Sequence, residues 1–494
     1  MPPTVIRDLS DSSGYWAAIW TMCVMPDVHV ICDAPIGCFN LVGTAVPDYT
    51  DAIPHIENLT PATMTEQEVG GKGTGETVRW TYQNLAALGK LDGKRVIVVS
   101  TAESEMIGSD HSSLVETLGA GTTFYYSNSL AEDEWAGRDR VLRWLWANYG
   151  QAQAASAIEP GTVNIIGPTY GCWNSPSDLL EVKRLVEGVG GRVNLVYPFE
   201  ATIADTPRLS AAQVNVVLYR EFGGGLAAEL GQPTLFAPFG IHETTEFIRE
   251  LGRLLDRSAQ AEAFIEQEKR TTLQAVWDLW RGPQSDWFGT SSVAIVAGRS
   301  YADGLARLLG DELGMPVAFV AGRPLRRDEP NNERVRQMLH ERAPSFVFGS
   351  INERIYLAEA GARMTNFVAA AFPCPAVRRA VGTPYMGYRG VVYVIQEIVN
   401  RLYDALFSFL PVDSAYAQRG GAPGVVASSV VGNLPWQPEA KTLLDAALEK
   451  LPYIPRISAS RQLQMTVENL AHQRGEKEIT PALVEDALAQ SHTA

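Results

Sequence analysis

Cysteine is scarce in this 494-residue chain. Cys23, Cys32, Cys38, Cys172 and Cys374 form an odd, scattered set of five. Such a set argues against a disulfide framework and leaves free thiols or metal ligands. No CxxC pair occurs, so the chain alone lacks the usual compact spacing of a four-thiolate metal site. GxSxG and HExxH are absent too, and with them support for a serine-hydrolase or metalloprotease reading. No run approaches about 18–20 uninterrupted apolar residues. The opening MPPTVIRDLSDSSGYWAAIW lacks the basic-then-apolar order of a secretory leader. The expectation is a cytoplasmic protein with no transmembrane segment. Positive charge is outnumbered, 41 Lys and Arg against 56 Asp and Glu, for a net −15. A chain so acidic is a poor general binder of nucleic acid or of an anionic membrane surface.

What is present is ordinary globular material, 46% apolar and 20% charged, which rules out wholesale disorder. Short apolar, β-branched runs recur at Val28–Cys32, Arg95–Ser100, Val163–Gly167, Val193–Val196, Val214–Leu218, Val293–Gly298, Val317–Val320 and Phe346–Gly349. Runs apolar on both faces are the mark of parallel strands covered by helices. Their alternation with helical segments such as Ser177–Gly188 and Ile241–Leu255 predicts repeated βαβ units and an α/β fold. Turn-rich breaks divide the chain into α/β domains at 1–155, 156–288 and 289–412. A Gly/Ala/Ser-rich linker and a helical C-terminal module follow at 413–494.

Ligands of open parallel sheets sit beyond the carboxyl ends of the strands, which directs attention to loops 33–50, 101–111, 168–176, 299–304 and 350–354. In the first, Pro35 and Gly37 shape a turn and Cys38 stands where a helix can begin. A helix N-terminus favours thiolate, the form that binds a soft metal; the alternative is a small buried filler. Cys23 and Cys32 read as packing. In the second loop Glu105, Asp110 and His111 are acid/base or ligand candidates, against a capped helix start with solvated acids. In the third, Ser177 or Asp178 reads as the cap of the next helix. Gly70–Gly75 lacks phosphate-loop order and follows no strand run, and Gly223–Gly225 reads as a flexible loop. Asp286, between Trp280 and Trp287, is either a carboxyl held protonated beside aromatic surface or a turn aspartate facing water.

Several motifs together carry a resemblance. GYWAAIW, CDAPIGCFNL, AVPDYTDAIPH and STAESEMIGSDH, then WFGTSSVAIVAG, FGSINERIYLAEA, AVRRAVGTPYMGYRG and NRLYDALF, resemble the nitrogenase-like reductases, on their chlorophyllide-reducing branch. The tail LPWQPEAKTLLDAALEKLPYIPRISASRQLQ is similar to a C-terminal module of the protochlorophyllide-reducing relatives. The resemblance implies a nitrogenase-component-1-like fold of three Rossmann-like parallel-sheet domains plus the helical module. It implies pairing with a homologous Y-type subunit, two pairs forming a heterotetramer. A [4Fe–4S] cluster would lie at each pair's interface, with Cys38 as this chain's one ligand and the other three thiolates from the partner. The protochlorophyllide reducers carry aspartate in the place of Cys38. A separate X-type iron–sulfur protein, using ATP, would dock transiently and deliver electrons one at a time. The implied reaction is reduction of the C7=C8 bond of chlorophyllide a, with Asp286 near the place of a proton-donating aspartate. The alternatives are another reductase of this family, a non-catalytic scaffold for a cluster or tetrapyrrole, and a plain small-molecule binder with an inert Cys38.

Overall fold

The computed structural model describes residues 13–44, 56–71, 73–280, 284–362, 365–372, 374, 382–407, 434–448, 463, 466, 467, 470, 471 and 474–491. Side chains at 41–44, 56, 280, 284–286, 406, 407, 490 and 491 are not among those described. The chain divides into two compact units, Met1–Val399 and Asn400–Ala494.

The first unit contains three four-stranded sheets, parallel throughout. Strands β1 (Val28–Ala34), β2 (Leu59–Thr63), β3 (Arg95–Ser100) and β4 (Thr122–Tyr125) run in the order β2-β1-β3-β4. Strands β5 (Glu159–Ile166), β6 (Arg192–Tyr197), β7 (Ala212–Val217) and β8 (Thr234–Phe236) repeat it as β6-β5-β7-β8. Strands β9 (Val293–Gly298), β10 (Val317–Arg323), β11 (Phe346–Gly349) and β12 (Asn366–Ala369) repeat it again as β10-β9-β11-β12. In each sheet the chain steps outward from the first strand, then returns to its other side. The loops leaving β1 and β3, β5 and β7, and β9 and β11 therefore flank the crevices where such sheets take ligands.

Burial explains why these runs became central strands. Every residue of β1 and of β11 is buried, as are the last five of β3 and of β5. Strands covered by helices on both sides must be apolar on both faces. The first sheet meets the second through two helices, Gly14–Met22 and Glu134–Leu145. They cross so closely that a Cβ on Gly137 would lie 2.7 Å from the Ala17 Cβ and 3.1 Å from the Gly14 Cα. Beside this crossing Arg138 is wholly buried. It donates to Glu134 Oε1 through Nε (2.9 Å) and Nη2 (2.5 Å), to the Tyr170 carbonyl (2.7 Å) and to Thr169. Its guanidinium also lies 5.5 Å from the ring centres of Trp20 and Phe222. One buried cation thus ties the helix after the first sheet to the loop after β5.

The second unit has its own apolar core, in which Ala440, Leu444 and Leu448 of the helix Pro438–Leu448 pack with Val467, Leu483 and Val484. Trp436 and Ile479 form a parallel bridge there. No helix among the described residues is long and apolar enough to cross a membrane.

Candidate functional site at the edge of the first sheet

The turn at Pro35 ends β1, and the helix Ile36–Thr44 starts directly after it, placing Cys38 in its first turn. From the other side of the crevice, β3 leads into the helix Ala102–Met106. Its N-cap Thr101 forms a reciprocal capping box with Ser104 and donates its hydroxyl to the Asp33 carbonyl at 2.9 Å. That latch between β1 and β3 positions Glu103, whose Oε1 accepts the Cys38 thiol at 3.6 Å. Cys38 is half-buried, whereas the other four cysteines are buried. Among the cysteines it is therefore the one placed to reach a group outside this chain.

The electrostatics differ from those of a bare helix terminus. Burial and the neighbouring Glu103 carboxylate push the Cys38 thiol above its ordinary pKa. A carboxylate touching the sulfur opposes thiolate more strongly than the partial positive charge of a helix end favours it. In the free chain Cys38 holds its proton, and an incoming cation has to displace it.

The other candidates of this edge are structural. Glu105 accepts from Ser100 Oγ (2.8 Å), Ser127 Oγ (2.9 Å) and the Ser129 amide (3.0 Å), joining β3 to the segment after β4. His111 is buried, stacks on Phe124 and pairs through Nε2 with Asp33 Oδ2 at 2.6 Å. The same oxygen accepts the Thr74 hydroxyl at 2.5 Å. Thr74 is the N-cap residue of the helix Gly75–Ala87, so the glycine-rich stretch before it delivers a helix start to the floor of the edge. Asp110 caps the helix His111–Glu116 by accepting the Ser113 amide, and hydrogen bonds from Ser113 hold its carboxyl below the ordinary pKa.

Three expectations elsewhere are corrected. Gly223–Gly225 is a helix start, with Gly223 as the left-handed N-cap of Gly224–Leu230. The helix after β5 begins at Ser175 with Asn174 as N-cap, so neither Ser177 nor Asp178 caps it. Asp178 is instead buried inside that helix, accepting the amides of Tyr385 (2.7 Å) and Met386 (3.1 Å) and the Tyr301 hydroxyl. Asp286 falls in the helix Gln284–Thr290 rather than in a turn, and its side chain lies outside the described residues.

Glu103 is the residue of this edge that sequence reasoning missed. Its signal was topological, because loops leaving the first and third strands of such a sheet face each other. Among the described residues no group of three or more His, Cys, Asp or Glu is placed to hold a metal ion. A half-exposed thiol without companion ligands fits the contribution of one ligand to a shared group, and does not fit a closed site within this chain.

Residues 13–403 match the family of nitrogenase component 1 type oxidoreductases. Among curated relatives, a light-independent protochlorophyllide reductase subunit from Heliobacterium modesticaldum is 26% identical, with 94% of each chain covered. The protein of the same name from Gloeothece citriformis is also 26% identical, over 92% of this chain and 93% of its own. Among solved structures, nitrogenase Cp1 at pH 6.5 superposes with a TM-score of 0.65 at 16% identity, covering 82% of this chain and 95% of that one. Three parallel sheets in one repeated order, a thiol at the crevice of the first, and a family match across both place the chain among the nitrogenase component 1 type oxidoreductases.

Proposed function

We propose that this chain is one of two homologous subunits in the catalytic component of a chlorophyllide a reductase, reducing the C7=C8 bond of ring B toward bacteriochlorophyll. The observation that carries the reading is Cys38: one outward thiol at a sheet crevice, with no ligand set of its own among the described residues. Three further thiolates from a Y-type partner would complete a [4Fe–4S] site. Bound there, such a cluster supplies low-potential electrons singly, which reduction of a double bond in a conjugated macrocycle requires. The surroundings suit a docked partner, since Ile36, Met106, Tyr126 and Leu130, all in segments following β1, β3 and β4, are large apolar side chains left exposed.

The residues of this edge have separate tasks in that reading. Thr101 and Thr74 fix the β1 loop through Asp33. Glu103 accepts the hydrogen bond of the thiol and keeps Cys38 protonated until it becomes a ligand. Asp286 is proposed as proton donor to the macrocycle, on resemblance alone. ATP would be used by the separate X-type protein and not by this chain. A second reading, a protochlorophyllide reductase subunit, is favoured by the names of the relatives. The cysteine at position 38, where the resemblance gives that branch an aspartate, favours the first.

Anaerobic co-purification with a Y-type partner tests the proposal. The expected complex is brown, with iron–sulfur absorbance that Cys38→Ala abolishes. Addition of X-type protein, ATP and reductant should then convert chlorophyllide a, and not protochlorophyllide, to a red-shifted product. A colourless complex indifferent to Cys38→Ala would refute the cluster role. Asp286→Ala should keep iron and pigment while turnover falls about 10²-fold or more; unchanged turnover removes it from the proton path.

A further inference from the structure

Glu103 Oε1 lies 3.6 Å from the Cys38 sulfur. While the thiol is intact this contact is a hydrogen bond. Once the proton has gone, the contact sets a carboxylate beside a sulfur that itself carries negative charge, and neither group has a hydrogen left to donate.

The chain holds this carboxylate in place and leaves its charge uncompensated. Glu103 stands in the first turn of the helix Ala102–Met106. The start of that helix is fixed by the Thr101–Ser104 capping box and by the Thr101 hydroxyl on the Asp33 carbonyl, 2.9 Å away. Other carboxylates of the edge are engaged elsewhere, Asp33 by His111 and Thr74, and Glu105 by Ser100, Ser127 and Ser129. Among the described residues Glu103 pairs with no Lys, Arg or His, and its one hydrogen-bond partner is the Cys38 thiol. The nearby Tyr15 is buried at 3% exposure, so water is excluded from one side of the pair and screens its field less.

Two opposite influences act on a group bonded through Cys38. The first turn of the helix Ile36–Thr44 presents partial positive charge, which eases the addition of an electron. Glu103 presents a full negative charge, which opposes it. A full charge in contact with the sulfur outweighs a helix end equivalent to about half a charge. Local charge and the surroundings of the ligating sulfurs are among the levers that set the potential of an iron–sulfur cluster.

We propose that Glu103 sets the reduction potential of the cluster bound through Cys38, its carboxylate lowering that potential through the ligating sulfur. The inference deepens the proposed function and rests on its cluster. It makes Glu103 neither a ligand nor a contact of the pigment.

The test uses the complex assembled with the Y-type partner. An equilibrium redox titration follows iron–sulfur absorbance and the electron paramagnetic resonance of the reduced cluster, in the natural protein and in Glu103→Asp, Glu103→Ala and Glu103→Gln. Both charge-free variants should make the cluster easier to reduce by tenfold or more in equilibrium constant, about 59 mV for a one-electron couple. Glu103→Gln, whose amide can also donate to the sulfur, should shift at least as far as Glu103→Ala. Glu103→Asp keeps the charge and should stay nearest the natural protein. A purely structural role would rank the variants by shape instead, with Glu103→Gln nearest. That ranking, a lowered potential, or shifts below twofold in both charge-free variants overturns the proposal and leaves the cluster and the reductase reading standing. Loss of the cluster from the charge-free variants would make Glu103 a residue of assembly, and overturns it as well. A natural complex without iron–sulfur absorbance refutes the reductase reading itself, and this inference falls with it.

Discussion

Replacing Arg138 by methionine is the sharpest test of how the first two sheets are held together. The side chain and its partner Glu134 are both fully buried. Methionine keeps much of the stem's volume, so packing against Trp20 and Phe222 is largely retained while the charge is lost. What remains is a buried carboxylate that has lost the Arg138 cation and a Tyr170 carbonyl that has lost that donor. Breaking a buried pair from one side costs about 3–5 kcal/mol, most of it the stranded charge. Against a total of about 5–15 kcal/mol for a typical folded unit, Arg138→Met should lower the thermal midpoint by at least about 5 °C. Adding Glu134→Gln removes the carboxylate charge that Arg138 had offset, so the double variant should recover a substantial part of the loss. Thermal melts of the natural chain, both single variants and the double variant at one pH check this. A single variant within about 0.5 kcal/mol of the natural chain, the range of ordinary surface changes, refutes the argument, as does a double variant less stable than Arg138→Met.

Other expectations follow from individual groups. Glu103→Gln removes the carboxylate that pushes the Cys38 thiol up, so alkylation of Cys38 by iodoacetamide at fixed pH should speed up; an unchanged rate means Glu103 does not govern the sulfur. Burial raises the Asp178 carboxyl to about 7 from an ordinary 3.8, despite three hydrogen-bond donors. Its folded pKa lies above its unfolded one, so the stability linked to it is complete below pH 3.8 and is lost as pH rises to about 7, about 4 kcal/mol in all. Asp178→Asn should therefore gain on the natural chain between pH 5 and 8, and parallel melting curves across that range would contradict this. His29 is the opposite case: burial, then Lys94, lower it to about 4 from 6.5. Stability tied to its neutral form should fall between those values on acidification, and His29→Gln, which keeps a partner for the Thr60 hydroxyl, should weaken that loss.

The centre of each sheet was legible and its margins only in part, since the edge strands β6 and β10 were read and the other four were not. All eight apolar runs are strands, among them the buried central pairs β1 and β3, β5 and β7, and β9 and β11. The strands left unread, β2, β4, β8 and β12, are all sheet edges. An edge strand needs only one buried neighbour and tolerates polar residues and even proline, as LTPAT and TTFY show. Cys38 could be singled out because a turn and a strand end mark it locally. Glu103 could not, since its meaning depends on a contact across 65 positions. Glu105, two residues on, drew the attention instead, and faces the serines of the interior.

The contact between Cys38 and Glu103 also bears on the chain before assembly. A sulfur kept neutral by an adjoining negative charge is a slow nucleophile toward oxidants and disulfides. A newly made subunit therefore carries its one outward thiol in a guarded state. In the proposed assembly, arrival of iron with a partner's thiolates would override the guard, and reactivity would be released at the moment and place where the sulfur acquires a bond.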